Sequence, residues 1–313
     1  MIIKISPENE NRRLDKFLFA FLNNAPHSLV YKLLRKKRIK LNGGRAAGNE
    51  ILKTGDELRF FVSEETLAGC RKERRFPQAK PLTGIIFENA DYLVVDKPAG
   101  LHSQGHLPKT LNSQLSTLNS SPDSLLARVL FYLQESGAVC EDATFSPALC
   151  NRLDVNTSGL VVCGKNIHAL QKMNALFAAR EIKKEYLALV HGIVGNPGDT
   201  RTLQNFYRKD GNKNRACIVE DTGSGTEIIT KFIVLEAADG RSLLNVQPVT
   251  GRSHQIRVHL ASIGHPIVGD KKYGGSGAHG QQLHCFRLTL PDGTVWESAK
   301  FKWRCPEPGD KSS

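Results

Sequence analysis

The sequence predicts an α+β protein with two domains: a small, basic N-terminal α/β domain and a larger one built on a mixed, mainly antiparallel sheet. Three observations lead there. Strand-like runs outnumber helical ones without alternating with them, which argues against a doubly wound parallel sheet. The chain has 313 residues, 40% of them hydrophobic, enough for two buried cores. Residues 63–80 are charged, contain Pro77 and show no apolar periodicity, so they read as a linker. The expected division is 1–62, a linker at 63–80, a second domain at 81–305 and a tail at 306–313.

In the first domain, Leu14, Phe17, Leu18, Phe21 and Leu22 recur at helical spacing and form one apolar stripe. Asn24-Ala25-Pro26 ends that helix. Ser28 is the expected cap of a second helix, with Val30, Leu33 and Leu34 inward and Lys32, Arg35, Lys36 and Lys37 outward. Arg38 to Gly44 alternates into an Asn-Gly turn, the signal of a hairpin. Lys53-Thr54-Gly55-Asp56 turns the chain into the strand Leu58–Val62.

The second domain opens with strands at 84–88 and 92–96 around Asn89-Ala90-Asp91. Further strands are expected at 158–164, 185–194, 227–236, 243–248 and 283–290, and helices at 124–136, 167–180 and 254–263. The Ser-, Leu- and Asn-rich stretch 104–123 reads as an insertion loop with little chemistry. No internal repeat is present.

Composition narrows the function classes. The seven cysteines are odd in number and contain no Cys-x-x-Cys pair, which speaks against a zinc site and a disulfide framework. Free thiols in a reducing compartment are expected. The N-terminus lacks a secretory pattern and no apolar run nears the ~18 residues that cross a bilayer, so a soluble cytoplasmic protein without a membrane partner is expected. No coiled-coil heptads occur, and a monomer is expected. The net charge is +12, and residues 1–80 hold 18 Lys and Arg against 9 Asp and Glu. Charge concentrated this way favours a nucleic-acid partner. Lys32, Arg35, Lys36, Lys37, Arg38 and Lys40 are the expected phosphate contacts.

Three segments carry candidate chemistry. Asn151 to Leu160 places Asp154 in a loop with Arg152, Thr157, Ser158 and Gly159 around it. A carboxylate among such donors keeps the charge a nucleophile needs; the alternative is an aspartate that only orders the loop. Pro248 to Leu260 looks like a turn, Thr250-Gly251-Arg252-Ser253, that starts a helix carrying Arg257. An arginine there can hold a carboxylate through two parallel hydrogen bonds. His254 and His259 are five residues apart, facing different sides of a helix, so no metal site is expected. Lys183 to Gly192 alternates as a strand with Lys184, Tyr186 and Ala188 on one face. A groove-facing tyrosine can stack on a base and move a proton; the alternative is an ordinary sheet tyrosine.

Taken together, the motifs resemble a known family. Asp96-Lys97-Pro98-Ala99-Gly100-Leu101-His102, Arg152-Leu153-Asp154 with Thr157-Ser158-Gly159, Lys184-x-Tyr186, Thr250-Gly251-Arg252-x-His254-Gln255-Ile256-Arg257-x-His259 and Gly264-His265-Pro266-Ile267-x-Gly269-Asp270 resemble, in order, the RluA-type pseudouridine synthases. Residues 12–62 are similar to the S4 RNA-binding domain. The resemblance implies an RNA pseudouridine synthase acting through an aspartate on a flipped-out uridine, with no cofactor and no metal. Members acting on large-subunit (23S) ribosomal RNA are the most similar, so that RNA is the expected partner. Transfer RNA as target, a non-catalytic ribosome-assembly factor and an aspartate-based nucleotide hydrolase are the alternatives. By the same resemblance Asp154 is the catalytic aspartate and Tyr186 stacks on the uracil and accepts the C5 proton. Arg257 pairs with the aspartate, and Arg152 helps expel the target nucleotide. Thr157, Lys184, Arg252 and His254 are expected at the substrate. The sequence departs from the family pattern at Asn151, where histidine is usual, and at Asn156.

Overall fold

The structure is a computed structural model that describes residues 1–298 except 73–75, 77, 106–122, 139–143, 211–214, 221–222, 224 and 278–279. Most of the expected insertion loop at 104–123, the end of the second domain and the 306–313 tail lie outside the described residues. The fold groups residues 1–81, 105–148 and 164–171 into one compact unit, and 82–104, 149–163 and 172 onward into another. Among the described residues no helix is long and apolar enough to cross a membrane.

The first unit contains β1 (Ile2–Lys4), α1 (Leu14–Phe21), α2 (His27–Arg35), β2 (Ile39–Leu41), β3 (Gly44–Arg45), β4 (Glu57–Phe60) and α3 (Glu64–Gly69). The strands form an antiparallel sheet in the order β1-β4-β2-β3. The expected stripe of α1 is buried against Val30, Leu33 and Leu34 of α2 and Ile39, Leu58 and Phe60 of the sheet. Asn42 and Gly43 both adopt positive φ, 50° and 76°, as a tight hairpin turn between twisted strands requires.

The structure corrects two expectations in this unit. Ser28 does not cap α2: Pro26 occupies that position in extended conformation, and its carbonyl already accepts the Leu29 N–H. The stretch read as a linker holds α3, capped by the Ser63 hydroxyl and anchored by buried Leu67. A one-and-a-half-turn helix with a single core residue leaves no periodicity to read. Helix α4 (Leu125–Glu135) also belongs to the first unit and is capped by Ser124, whose hydroxyl accepts the Ala127 N–H.

The large sheet contains β5 (Ile85–Glu88), β6 (Tyr92–Lys97), β7 (Ala148–Leu149), β8 (Ser158–Gly164), β9 (Lys183–His191), β10 (Thr200–Asp210), β11 (Arg215–Val219), β12 (Thr226–Ala238), β13 (Arg241–Pro248), β14 (Leu283–Thr289) and β15 (Val295–Glu297). Its order is β11-β10-β12-β13-β9-β14-β8-β6-β5, with β15 on β14 and β7 on β8. The pairs from β11 through β14 are antiparallel, while β8 runs parallel to β14. The mixed, mainly antiparallel sheet is therefore as expected. Two helices punctuate it, α5 (Ile167–Ala179) and α6 (Gln255–Ser262). Ile256 and Leu260 of α6 pack with Ala188, Val190, Phe232, Val234, Leu244 and Val246 of the sheet. That packing fixes the turn of α6 from which Arg257 projects.

Candidate active site

Asp154 sits in the loop between β7 and β8, and its side chain is 27% exposed. The loop is held from several sides. The Thr157 N–H donates to the Asp154 carbonyl (3.1 Å). The Ser103 hydroxyl donates to the Leu153 carbonyl (2.9 Å) and accepts the Leu153 N–H (3.1 Å). Asn151 donates from Nδ2 to the Leu160 carbonyl and accepts the Val162 N–H, so its amide clasps the loop to β8. Glycine is required at Gly159, where φ is +118° and a Cβ would collide with the Cys285 backbone of parallel β14.

Beneath the loop lies Lys97, fully buried. Its ammonium donates to the carbonyls of Pro98 (2.9 Å), Leu101 (2.8 Å) and Val155 (3.0 Å), the last adjacent to Asp154. All three protons are used, which is how a buried lysine is tolerated. Burial pulls its pKa down to about 8, against the opposing charges of Asp154 and Asp96.

Arg257 reaches the same carboxylate from α6. Its Nη1 donates to Asp154 Oδ2 at 2.8 Å, while Nε and Nη2 donate to the two oxygens of Asp270 at 2.7 and 2.8 Å. Asp270 is 2% exposed and Arg257 7%. The paired fork with Asp270 fixes the guanidinium plane, so that an N–H of Nη1 points at Asp154. Burial works against the guanidinium's charge, yet the two carboxylates hold its pKa above the ordinary value.

His254 precedes α6 with a left-handed backbone (φ 60°), uncommon for a residue with a side chain. Its Nε2 lies 3.7 Å from Asp154 Oδ2, and its Nδ1 is 2.9 Å from the Tyr273 hydroxyl. That hydroxyl already accepts the Ala216 N–H (2.9 Å), so donation of its own proton to Nδ1 completes its bonds and leaves the ring proton on Nε2, facing Asp154. Burial, opposed by Asp154, lowers the His254 pKa and keeps the ring neutral near pH 7. The Tyr273 ring in turn supports the Arg257 guanidinium, 5.0 Å from the ring centroid.

Tyr186 is half-buried on β9 opposite Cys285 of β14. Burial, then the Cys285 thiol and the Asp154 carboxylate, push its phenol well above the usual range. Lys184 is half-buried on the same strand face, and burial lowers its pKa. A methyl group placed on Gly251 would stand 3.3 Å from its Nζ, so the ammonium lies against the turn that starts α6.

The structure thus brings Asp154, Arg257 and His254 together, with Tyr186 within the field of the same carboxylate. Arg152 and Arg252 are exposed on the two loops flanking that cluster. Thr157 is buried and its hydroxyl accepts the Gln281 amide (2.8 Å), which braces the loop from inside. Lys97, Asp270 and Tyr273 are additions that sequence reasoning passed over. Lys97 and Asp270 stood within recognised motifs, but nothing in the one-dimensional pattern aims them at residues 154 and 257.

A family model described as RNA pseudouridylate synthase matches residues 91–262. The chain belongs to that family. The match takes in Lys97, Asp154, Tyr186, His254 and Arg257. The ribosomal large subunit pseudouridine synthase C of Haemophilus influenzae is 30% identical over 96% of this chain and 90% of its own length. An uncharacterised RNA pseudouridine synthase of Bacillus subtilis, YlyB, is 28% identical over 97% of this chain and 94% of its own. The solved structure of human RNA Pseudouridylate Synthase Domain Containing 1 superposes with a TM-score of 0.53 at 26% identity, over 71% of this chain and 84% of that one. The synthase is therefore an isomerase that acts on RNA, and the cluster around Asp154 holds the candidate groups for that reaction.

Proposed function

We propose that the synthase converts uridine to pseudouridine in large-subunit ribosomal RNA, with Asp154 as the catalytic carboxylate acting on a flipped-out nucleotide. The observation that carries this reading is the Asp154 carboxylate, partly open and aimed by Arg257 at 2.8 Å. Names of relatives that act on the ribosomal large subunit support the choice of RNA. Residues 1–62 serve as an S4-like RNA-binding domain, gripping phosphates through Lys32, Arg35, Lys36, Lys37, Arg38 and Lys40, and residues 81–305 form the catalytic domain.

The reaction breaks the N1–C1′ bond, turns the uracil and joins C5 to C1′. One proton leaves C5 and one is taken up at N1, so atoms and electrons balance without a cofactor. A target base must leave its stack to reach the carboxylate, and exposed Arg152 and Arg252 are suited to hold the RNA backbone around it. Arg257 positions the negative charge before the substrate arrives, so that little reorganisation accompanies bond cleavage. Tyr186 lies flat against the uracil. Because burial keeps its phenol protonated, it takes the C5 proton only while releasing its own toward Asp154.

Release of tritium from RNA labelled at uridine C5 tests the activity. Asp154→Asn should bind the RNA as wild type does and release no label; activity within about tenfold of wild type would overturn the assignment. Mapping pseudouridines in ribosomal and transfer RNA from a deletion strain identifies the target, and loss confined to transfer RNA would overturn the ribosomal choice.

A further inference from the structure

The outer face of the sheet in the first unit has a feature that the basic helix does not explain. The register pairs Ile2 with Arg59, Arg59 with Lys40 and Lys40 with Arg45. Residues directly opposite in antiparallel strands share a face, so three cations stand side by side on β4, β2 and β3, across about 10 Å. Like charges opposite one another oppose folding, and Glu57 offsets only part of this through its ion pair with Arg59. Two residues beyond Arg59 on the same face stands Phe61, 47% exposed, with Lys40 Nζ 5.3 Å from its ring centroid. The core packs on the opposite face, through Ile39, Leu58 and Phe60. The outward side therefore joins a cationic row to an open aromatic ring.

We propose that this sheet face binds a single-stranded segment of the substrate RNA, with an unpaired base stacked on Phe61 and the backbone phosphates lying along Arg59, Lys40 and Arg45. A row of cations alone suits any polyanion. The exposed ring selects an unpaired base, because only a base released from a duplex offers its π-face. The inference rests on the reading of the N-terminal lobe as RNA-binding and is independent of the chemistry at Asp154.

The test measures binding of the full chain to a single-stranded oligouridylate and to a duplex RNA of equal length, so that turnover plays no part. Phe61→Ala should weaken single-strand binding at least about fivefold, the lower end of a base–aromatic stack, and leave duplex binding unchanged. Phe61→Leu should behave like Phe61→Ala, since it keeps the apolar surface and loses the ring. The double variant Lys40→Gln/Arg59→Gln should lower the salt dependence of single-strand binding by about 0.7 for each phosphate that is no longer neutralised. Wild-type single-strand affinity in Phe61→Ala, with unchanged thermal unfolding, overturns the proposal. If Lys36→Gln/Lys37→Gln still weakens binding in that case, the lobe reading survives the failure of the sheet face; if it does not, both fall. Equal weakening toward duplex and single strand also overturns base stacking.

Discussion

At the residue scale, the candidate site is a charge arrangement built before any substrate arrives. Arg257 joins Asp154 to buried Asp270, and the three cannot be altered independently. Arg257→Met should strand a buried carboxylate and destabilise the fold by about 3–5 kcal/mol, read by urea unfolding. A smaller change in unfolding, under about 1 kcal/mol, would mean that Asp270 is stabilised by something other than this arginine. Lys97 provides the pH signature. Its pKa is about 8 in the folded chain against about 10.5 for an ordinary lysine. Between those values the unfolded chain holds the proton that the folded chain has released, so this group's contribution to stability rises with pH over that window and is least below pH 8. Between about pH 7 and about pH 9.5, the unfolding free energy of wild type should therefore gain more than that of Lys97→Met. An identical gain in both would place the titration elsewhere.

At the element scale, the loop carrying Asp154 is only as ordered as the elements that clasp it. The parallel approach of β8 and β14 demands glycine at 159. Gly159→Ala combines a collision with an unfavourable φ, and should cost at least about 2 kcal/mol of stability and lower turnover. Wild-type thermal unfolding in that variant would show that the strands can separate freely. The turn before α6 is held from the opposite side by Tyr273, which links Ala216 of β11 to His254. Tyr273→Phe removes an acceptor from a buried N–H and a donor from His254 Nδ1, with an expected loss of about 1–3 kcal/mol. The ring of His254 would then lose the bond that fixes its tautomer, and the pH profile of turnover should shift; an unmoved profile would confine Tyr273 to a structural role.

At the scale of the whole molecule, most elements were legible in the sequence because they bury a periodic apolar face. The stripe of α1, the continuous apolar run of β8 and the alternation of β9, β12 and β13 all lie close to where the sequence placed them. Hairpin β10–β11 escaped because it is mostly polar and exposed, with Tyr207 and Ala216 as its buried side chains among the described residues. Strand β15, three residues long, is too short to show a period. The reaction class was legible too, since Asp154, Tyr186 and Arg257 occur in motifs whose order resembles one family. The sequence by itself determined the fold class, the basic lobe and the residue types available for catalysis, because these follow from local periodicity, charge and motif. Only the tertiary structure decided which of those residues meet. Asp154 and Arg257 are 103 positions apart. Lys97 supports the loop that bears Asp154 from 58 residues away, and Thr157 turns inward to Gln281 although it lies beside Asp154 in the chain. The physical reason is that hydrogen bonds and burial depend on distances in space, which strand register and helix packing set and one-dimensional spacing does not.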